Sequence, residues 1–305
     1  MRNWKSVYIY FTLKPLDFLI HKFVEPLVND LNLTTNGEFF FIRYFEGGPH
    51  VRLRFLSGSK SQFDFNEVLK SKYSEFLKSE FGITERPGEM VQAVPYVPEI
   101  ERYGGDKVIR LAEKNFFESS KIILSLFKKE RLDNYNQKMM CGFEMHLIFL
   151  VNMNLDKESL RQFLNFQIES WILHAWRIIN KNENLQLQKD TVVEVCKSKF
   201  SEAIQANKEL LKLKLKLIWD QCISGMFDDE LIKSWNNHAK NFYNDYIALK
   251  TNFNSIIDTS LEKTKVPDTW RILGSLLHMT NNRLGISNHD ESYLYYMLLI
   301  GIGGF

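Results

Sequence analysis

From Asp106 to the C-terminus the chain is governed by helical periodicity, and this constrains its fold more than any other feature. Candidate helices lie near 106–129, 133–152, 157–180, 190–208, 228–262, 268–282 and 289–301. One stretch resists. Leu211-Lys212-Leu213-Lys214-Leu215-Lys216-Leu217 alternates strictly, which is strand periodicity, although each residue has fair helix propensity. Its neighbours favour helix. A solvated lysine face is the bland reading of Lys212, Lys214 and Lys216, and attraction of an acidic peptide is the functional one.

Strands are left to the first third. Val7–Phe11 is rich in β-branched and aromatic residues and predicts a strand. Leu16 to about Leu31 carries apolar residues at helical spacing, with Pro26 as a source of a kink. Phe39–Phe45, a Glu46-Gly47-Gly48-Pro49 corner and His50–Leu56 predict a hairpin, and Phe65–Phe81 a further helix. Residues 86–105 hold Pro87, Pro95 and Pro98 and predict an extended, ordered connection. The expected architecture is α+β, with a small antiparallel sheet with hairpin in the N-terminal third packed on a predominantly helical C-terminal portion. It is expected as a single domain over 1–305, mixed over 1–105 and mainly helical over 106–305. The content of 24 Phe, 12 Tyr and 6 Trp predicts a core, and a cleft, lined by flat side chains.

Charge and cysteine usage narrow the function classes. A formal net charge of +2 is too small for nucleic-acid binding by bulk attraction. Cys141, Cys196 and Cys222 form neither a CxxC pair nor a Cys/His cluster, so reduced thiols in a cytoplasmic protein are expected. His21, His146, His174, His238 and His289 show no ligand spacing, and glycine-rich nucleotide loops are missing, so neither metal nor cofactor is expected. The N-terminus lacks a signal peptide, and no run approaches the roughly 18 apolar residues of a membrane span.

Three segments carry chemistry. In Arg43-Tyr44-Phe45-Glu46-Gly47-Gly48-Pro49-His50-Val51-Arg52-Leu53-Arg54-Phe55 the alternation of a strand puts His50, Arg52 and Arg54 on one face. Same-face neighbours sit about 7 Å apart, so two guanidinium groups can grip one multiply charged substrate. The alternative is a half-buried strand with its basic side in water. In Tyr96-Val97-Pro98-Glu99-Ile100-Glu101-Arg102-Tyr103-Gly104-Gly105, a glycine-containing loop before a helix suits an anion. A loop in which Arg102 pairs with Glu99 or Glu101 explains it equally well. In His278-Met279-Thr280-Asn281-Asn282-Arg283-Leu284-Gly285, a helix puts His278, Asn281 and Asn282 on one face and Gly285 at its stop, followed by a helix start at Ser287 or Asn288. A lone histidine is more often structural than catalytic.

Taken together, RYFEGGPHVRLRF, PYVPEIERYGG and HMTNNRLGI resemble the C-terminal elimination domain of class I lantibiotic dehydratases, to which free-standing thiopeptide-pathway proteins are related. The resemblance implies glutamate elimination. A separate glutamyl-tRNA-dependent enzyme esterifies Ser or Thr of a precursor peptide, and this chain expels glutamate to leave dehydroalanine or dehydrobutyrine. It implies catalytic roles for Arg52, Arg54, Arg102 and His278, and substrate contacts for Arg43, His50, Tyr103, Asn282 and Arg283. The large glutamylation domain of full-length dehydratases is not among the 305 residues, so a stand-alone eliminase is expected. Its expected partners are the precursor peptide, leader and core, and the glutamylating enzyme, with no direct nucleic-acid contact and with room for a homo-oligomer. Some relatives carry a histidine in the helix after RYGG, where this chain reads Asn115-Phe116-Phe117-Glu118-Ser119-Ser120. Two other readings stand beside this one. A thiopeptide pyridine synthase would join two dehydroalanines and expel the leader, and a non-catalytic subunit would bind the leader.

Overall fold

A computed structural model describes residues 4–31, 33, 38–56, 65–84, 90–179, 185–251 and 268–303. The expected helical stretch 252–262 and residues 86–89 and Gly304 lie outside them. The α+β expectation holds, and the chain divides into two compact units, residues 1–131 and 132–305. The first long helix therefore belongs with the sheet.

In the first unit, strands β1 (Trp4–Tyr10), β2 (Phe39–Tyr44), β3 (His50–Leu56) and β4 (Val91–Ala93) form an antiparallel sheet in the order β2-β3-β1-β4. The hairpin forms as expected, with Gly47 and Gly48 at φ 77° and 106°, which side chains other than glycine resist. β4 lies within the proline-containing connection, whose described residues also hold a short 3-10 helix at Glu101–Tyr103. At three residues β4 is too short for any periodicity, and its partner β1 is distant in sequence.

Between α1 (Leu16–Leu19) and α2 (Glu25–Asp30) the helix widens into a π-turn over Ile20–Val24. This is the local answer to Pro26, whose ring lacks an N–H and crowds the carbonyl one turn earlier, at Lys22. Ile9, Val51, Leu53, Phe39 and Phe41 form the buried face of the sheet. Helix α3 (Phe65–Phe81) joins that core, and its Tyr73 hydroxyl donates to the Tyr10 carbonyl at 2.8 Å. Phe11, Phe18, Phe23, Phe76 and Phe81 cluster beside it with ring centroids 5.1–6.4 Å apart. Helix α4 (Val108–Lys128) runs along β2, where the buried Ser120 hydroxyl accepts from the Phe41 amide at 3.3 Å. That contact satisfies an amide at the sheet's edge.

The second unit is wholly helical among its described residues: α5 (Tyr135–Val151), α6 (Lys157–Ile179), α7 (Leu185–Ile204), α8 (Lys208–Ser224), α9 (Glu230–Thr251), α10 (Asp268–Leu284) and α11 (Asn288–Ile302). The alternating Leu–Lys stretch lies in α8, where Leu211, Leu215, Ile218 and Cys222 are buried at helical spacing. Helix α11 packs on α6, α8 and α5. It passes close to α8 at Gly301, where a side chain would run into Leu215.

His146 of α5 is wholly buried, stacked on Tyr295 of α11 at 5.7 Å. Burial pushes its pKa from 6.5 down to about 3. Below pH 6.5 the unfolded chain takes up a proton that the folded chain refuses, so this contribution to stability is whole above 6.5 and is lost as pH falls toward 3. His146→Leu removes the effect. Between pH 7 and pH 5, urea unfolding should show the native protein losing about 2 kcal/mol more stability than the variant.

Candidate functional site

The sheet register builds the basic face directly. Tyr10, Tyr8 and Ser6 of β1 lie opposite His50, Arg52 and Arg54 of β3, with Tyr44, Ile42 and Phe40 of β2 on the other side. Residues directly opposite in an antiparallel pair share a face, so the arginines stand between two rows containing aromatic rings. The Arg52 guanidinium carbon lies 3.3 Å from the Tyr44 ring centre and 4.5 Å from that of Tyr8. The Arg54 guanidinium carbon lies 4.6 Å from Tyr96 and 5.3 Å from Phe40. Such contacts fix a planar cation while leaving its edge N–H groups for a ligand.

His50 is buried and holds Arg52. Its Nδ1–H donates to the Gly48 carbonyl at 2.8 Å, which leaves Nε2 to accept from Arg52 Nε at 3.2 Å. Burial, with a smaller contribution from the neighbouring Arg52 charge, lowers the His50 pKa against the opposing Gly48 bond. This favours the neutral ring that such a bond requires. Arg54 is desolvated, which lowers its pKa, but arginine starts so far above neutrality that it stays charged. Among the described residues neither Arg52 nor Arg54 is in a salt bridge, and the buried Arg54 Nε has no hydrogen-bond partner.

Arg102 follows the pairing alternative, donating to Glu99 at 2.9 Å while remaining 42% exposed. The Glu99 charge also acts on Arg54, so this carboxylate touches the electrostatics of both. Tyr103 is buried edge-on against Phe116 at 5.3 Å. Arg43 stands apart. It lies on the opposite face of the sheet, buried and paired with Asp17 at 2.5 Å. Its desolvation lowers its pKa, and Asp17 opposes the change.

In the second unit His278 lies on α10 and Glu291 on α11, with His278 Nδ1 2.6 Å from Glu291 Oε1. The turn that brings them together is set by local rules. Ile286 N–H donates to the Asn281 carbonyl at 3.0 Å and Gly285 N–H to the Asn282 carbonyl at 3.1 Å, with Gly285 at φ 80°. That is a Schellman stop, and only glycine adopts it without strain. Ser287 then stands at the N-cap position of α11, its hydroxyl donating to the Asp290 carboxylate at 2.6 Å and not bonding the helix amides. Trp171 of α6 stacks on the His278 ring at 4.9 Å. Asn282 is partly exposed, whereas Arg283 is fully buried and donates to the Met279 carbonyl at 2.7 Å.

The structure thus gathers His50, Arg52 and Arg54 on one strand face and pairs Arg102 with Glu99, whose charge also favours the cationic form of Arg54. Sequence reasoning missed Tyr8, Tyr44 and Tyr96 as the walls of that face. The alternation of Trp4, Ser6, Tyr8 and Tyr10 was the available signal, but cross-strand register decides which rings meet which arginines. Glu291 was legible only as a helix-start carboxylate.

Comparison with known proteins identifies the family. The pattern of the family "Lantibiotic biosynthesis dehydratase C-term" matches residues 4–299. The nisin biosynthesis protein NisB of Lactococcus lactis subsp. lactis is 25% identical over 304 residues, 97% of this chain and 25% of that protein. The epidermin biosynthesis protein EpiB of Staphylococcus epidermidis is 23% identical over 298 residues, 96% of this chain and 25% of that protein. The chain thus spans about a quarter of the length of these curated relatives. In fold it resembles TsrL (TM-score 0.67, 16% identity, all of this chain and 95% of that one) and TbtD, a pyridine synthase from thiomuracin biosynthesis (0.64, 14%, all of this chain and 98% of that one). It also resembles MibB, a tRNA-dependent lantibiotic dehydratase from Microbispora sp. 107891 (0.54, 19%, 98% of this chain and 28% of that one). With the family pattern spanning nearly its full length, this protein belongs to the lantibiotic biosynthesis dehydratase C-terminal family.

Proposed function

We propose that the protein is a glutamate-elimination lyase acting on glutamylated Ser or Thr of a precursor peptide made by a separate glutamyl-tRNA-dependent enzyme. The observation that carries this reading is the pair Arg52 and Arg54, half-buried among rings, with Arg54 desolvated and with no carboxylate of the described residues in a salt bridge to either. A partly buried cation without a counterion is costly, and a bound carboxylate offsets that cost. A glutamylated side chain supplies the matching charge, both in the one carboxylate that the ester leaves free and in the carboxylate that forms as glutamate departs.

The reaction needs a base to remove the Cα proton. The electron pair left on Cα becomes the C=C bond as the Cβ–O bond breaks, and glutamate leaves as a carboxylate. Guanidinium N–H groups stabilise the enolate oxygen and the leaving carboxylate more than they stabilise the neutral ester, which lowers the barrier. Arg102 adds positive charge, tuned by Glu99. His278 moves the proton, its ring held by Trp171 and Glu291.

The test is incubation with glutamylated precursor, read by mass spectrometry. Release of glutamate with formation of the dehydro residue supports the lyase. Turnover only of an already dehydrated peptide, with loss of its leader, overturns it in favour of a pyridine synthase. Binding of precursor without conversion of either peptide overturns it in favour of a leader-binding subunit.

A further inference from the structure

We infer that Glu291 is the positioning residue of His278: it takes the Nδ1 proton of the ring and thereby leaves Nε2 as the atom that handles the substrate proton. This deepens the lyase reading and rests on it for the role of Nε2.

Distance and burial argue for a built pair. Nδ1 and Oε1 are 2.6 Å apart, as short as the tightest charge-assisted bonds, and the two residues come from different helices. Glu291 has no exposed side-chain surface, whereas His278 keeps 16%. A carboxylate removed from water is costly unless it is paired, and a helix-start glutamate needs no such burial to serve the helix dipole. The hydrogen bond donated by the histidine is what makes this placement tolerable. Burial raises the Glu291 pKa, and the contact with His278 pulls it back.

The ring is constrained in every sense that matters for proton transfer. Trp171 lies nearly parallel to it, with 29° between planes, which restricts tilting. Rotation about the bond to the ring would break the Nδ1 contact. His174, edge-on to Trp171, lies on the same helix as that tryptophan, and its charge favours the ionised form of Glu291. Asn281 is fully buried and helps to hold the Glu291 carboxylate ionised, and the buried Tyr295 feels its charge. With Nδ1–H donated to Glu291, the other ring nitrogen carries a free lone pair at the opposite edge. The arrangement follows the general logic by which a buried carboxylate selects the tautomer of a working histidine.

The test uses Glu291→Met, which removes the acceptor but keeps the length of the side chain, and Glu291→Gln, which keeps an acceptor oxygen at Nδ1. Selectively 15N-histidine-labelled full-length protein, with the His278 signals assigned from their loss in a His278→Gln variant, reports which ring nitrogen carries the proton. The native protein should show Nδ1–H with Nε2 bare. Glu291→Met should revert to the Nε2–H form preferred by free imidazole, and Glu291→Gln should retain the native form. On glutamylated precursor, Glu291→Met should release glutamate about 10- to 100-fold more slowly, with Glu291→Gln recovering part of the loss.

An Nε2–H ring in the native protein, or an unchanged tautomer in Glu291→Met, overturns the inference. So does an unchanged release rate in Glu291→Met when His278→Gln is inactive. Because the tautomer is read without substrate, a protein without eliminase activity still distinguishes the two cases. A tautomer swap then supports the pairing while the lyase reading falls.

Discussion

Arg54→Met is expected to slow glutamate release by about 10²- to 10³-fold, the usual cost of removing one donor aimed at developing negative charge. The methionine keeps the apolar stem between Tyr96 and Phe40, so packing is retained while the charge goes. Removing a desolvated cation that has no salt-bridge partner among the described residues should leave thermal stability unchanged or raise it. This separates a catalytic defect from misfolding, since a structural arginine would show the opposite pattern. Arg54→Lys retains charge but loses the planar group that stacks on the rings, and should lie between native and methionine. Single-turnover release from glutamylated peptide, with a melting curve for each variant, makes the measurement. A native rate in Arg54→Met would remove the basic strand face from the mechanism.

The second large effect belongs to His278. His278→Gln preserves an amide N–H that can donate to Glu291, so the buried carboxylate keeps a partner, but the side chain no longer takes up or returns a proton near neutrality. Release should fall by about 10²- to 10⁴-fold, and glutamylated peptide should accumulate in a coupled reaction with the glutamylating enzyme. If instead melting temperature drops and the rate per folded molecule stays native, His278 is a structural histidine.

Much of this protein is visible before it folds. The alternation in His50–Phe55 reports which side chains share a face, because successive residues of a strand point oppositely whatever surrounds them. The stop at Gly285 and the start at Ser287 are legible because caps depend on backbone groups within a few residues. The Leu–Lys stretch of α8 shows the limit of such reasoning. Its alternation fits a strand locally, and burial of Leu211 and Leu215 against neighbouring helices selects the helix.

What one-dimensional pattern determined, then, is the order of elements, the basic strand face and the motifs that mark the family, all of which rest on short-range spacing. What tertiary structure alone decided is the partner of each charged group: tyrosines from β1 and β2 around Arg52, Tyr96 beside Arg54, Asp17 on Arg43 and Glu291 on His278. The physical reason is that desolvation and pairing energies depend on which distant residues share a low-dielectric neighbourhood. Spacing along the chain carries no record of that.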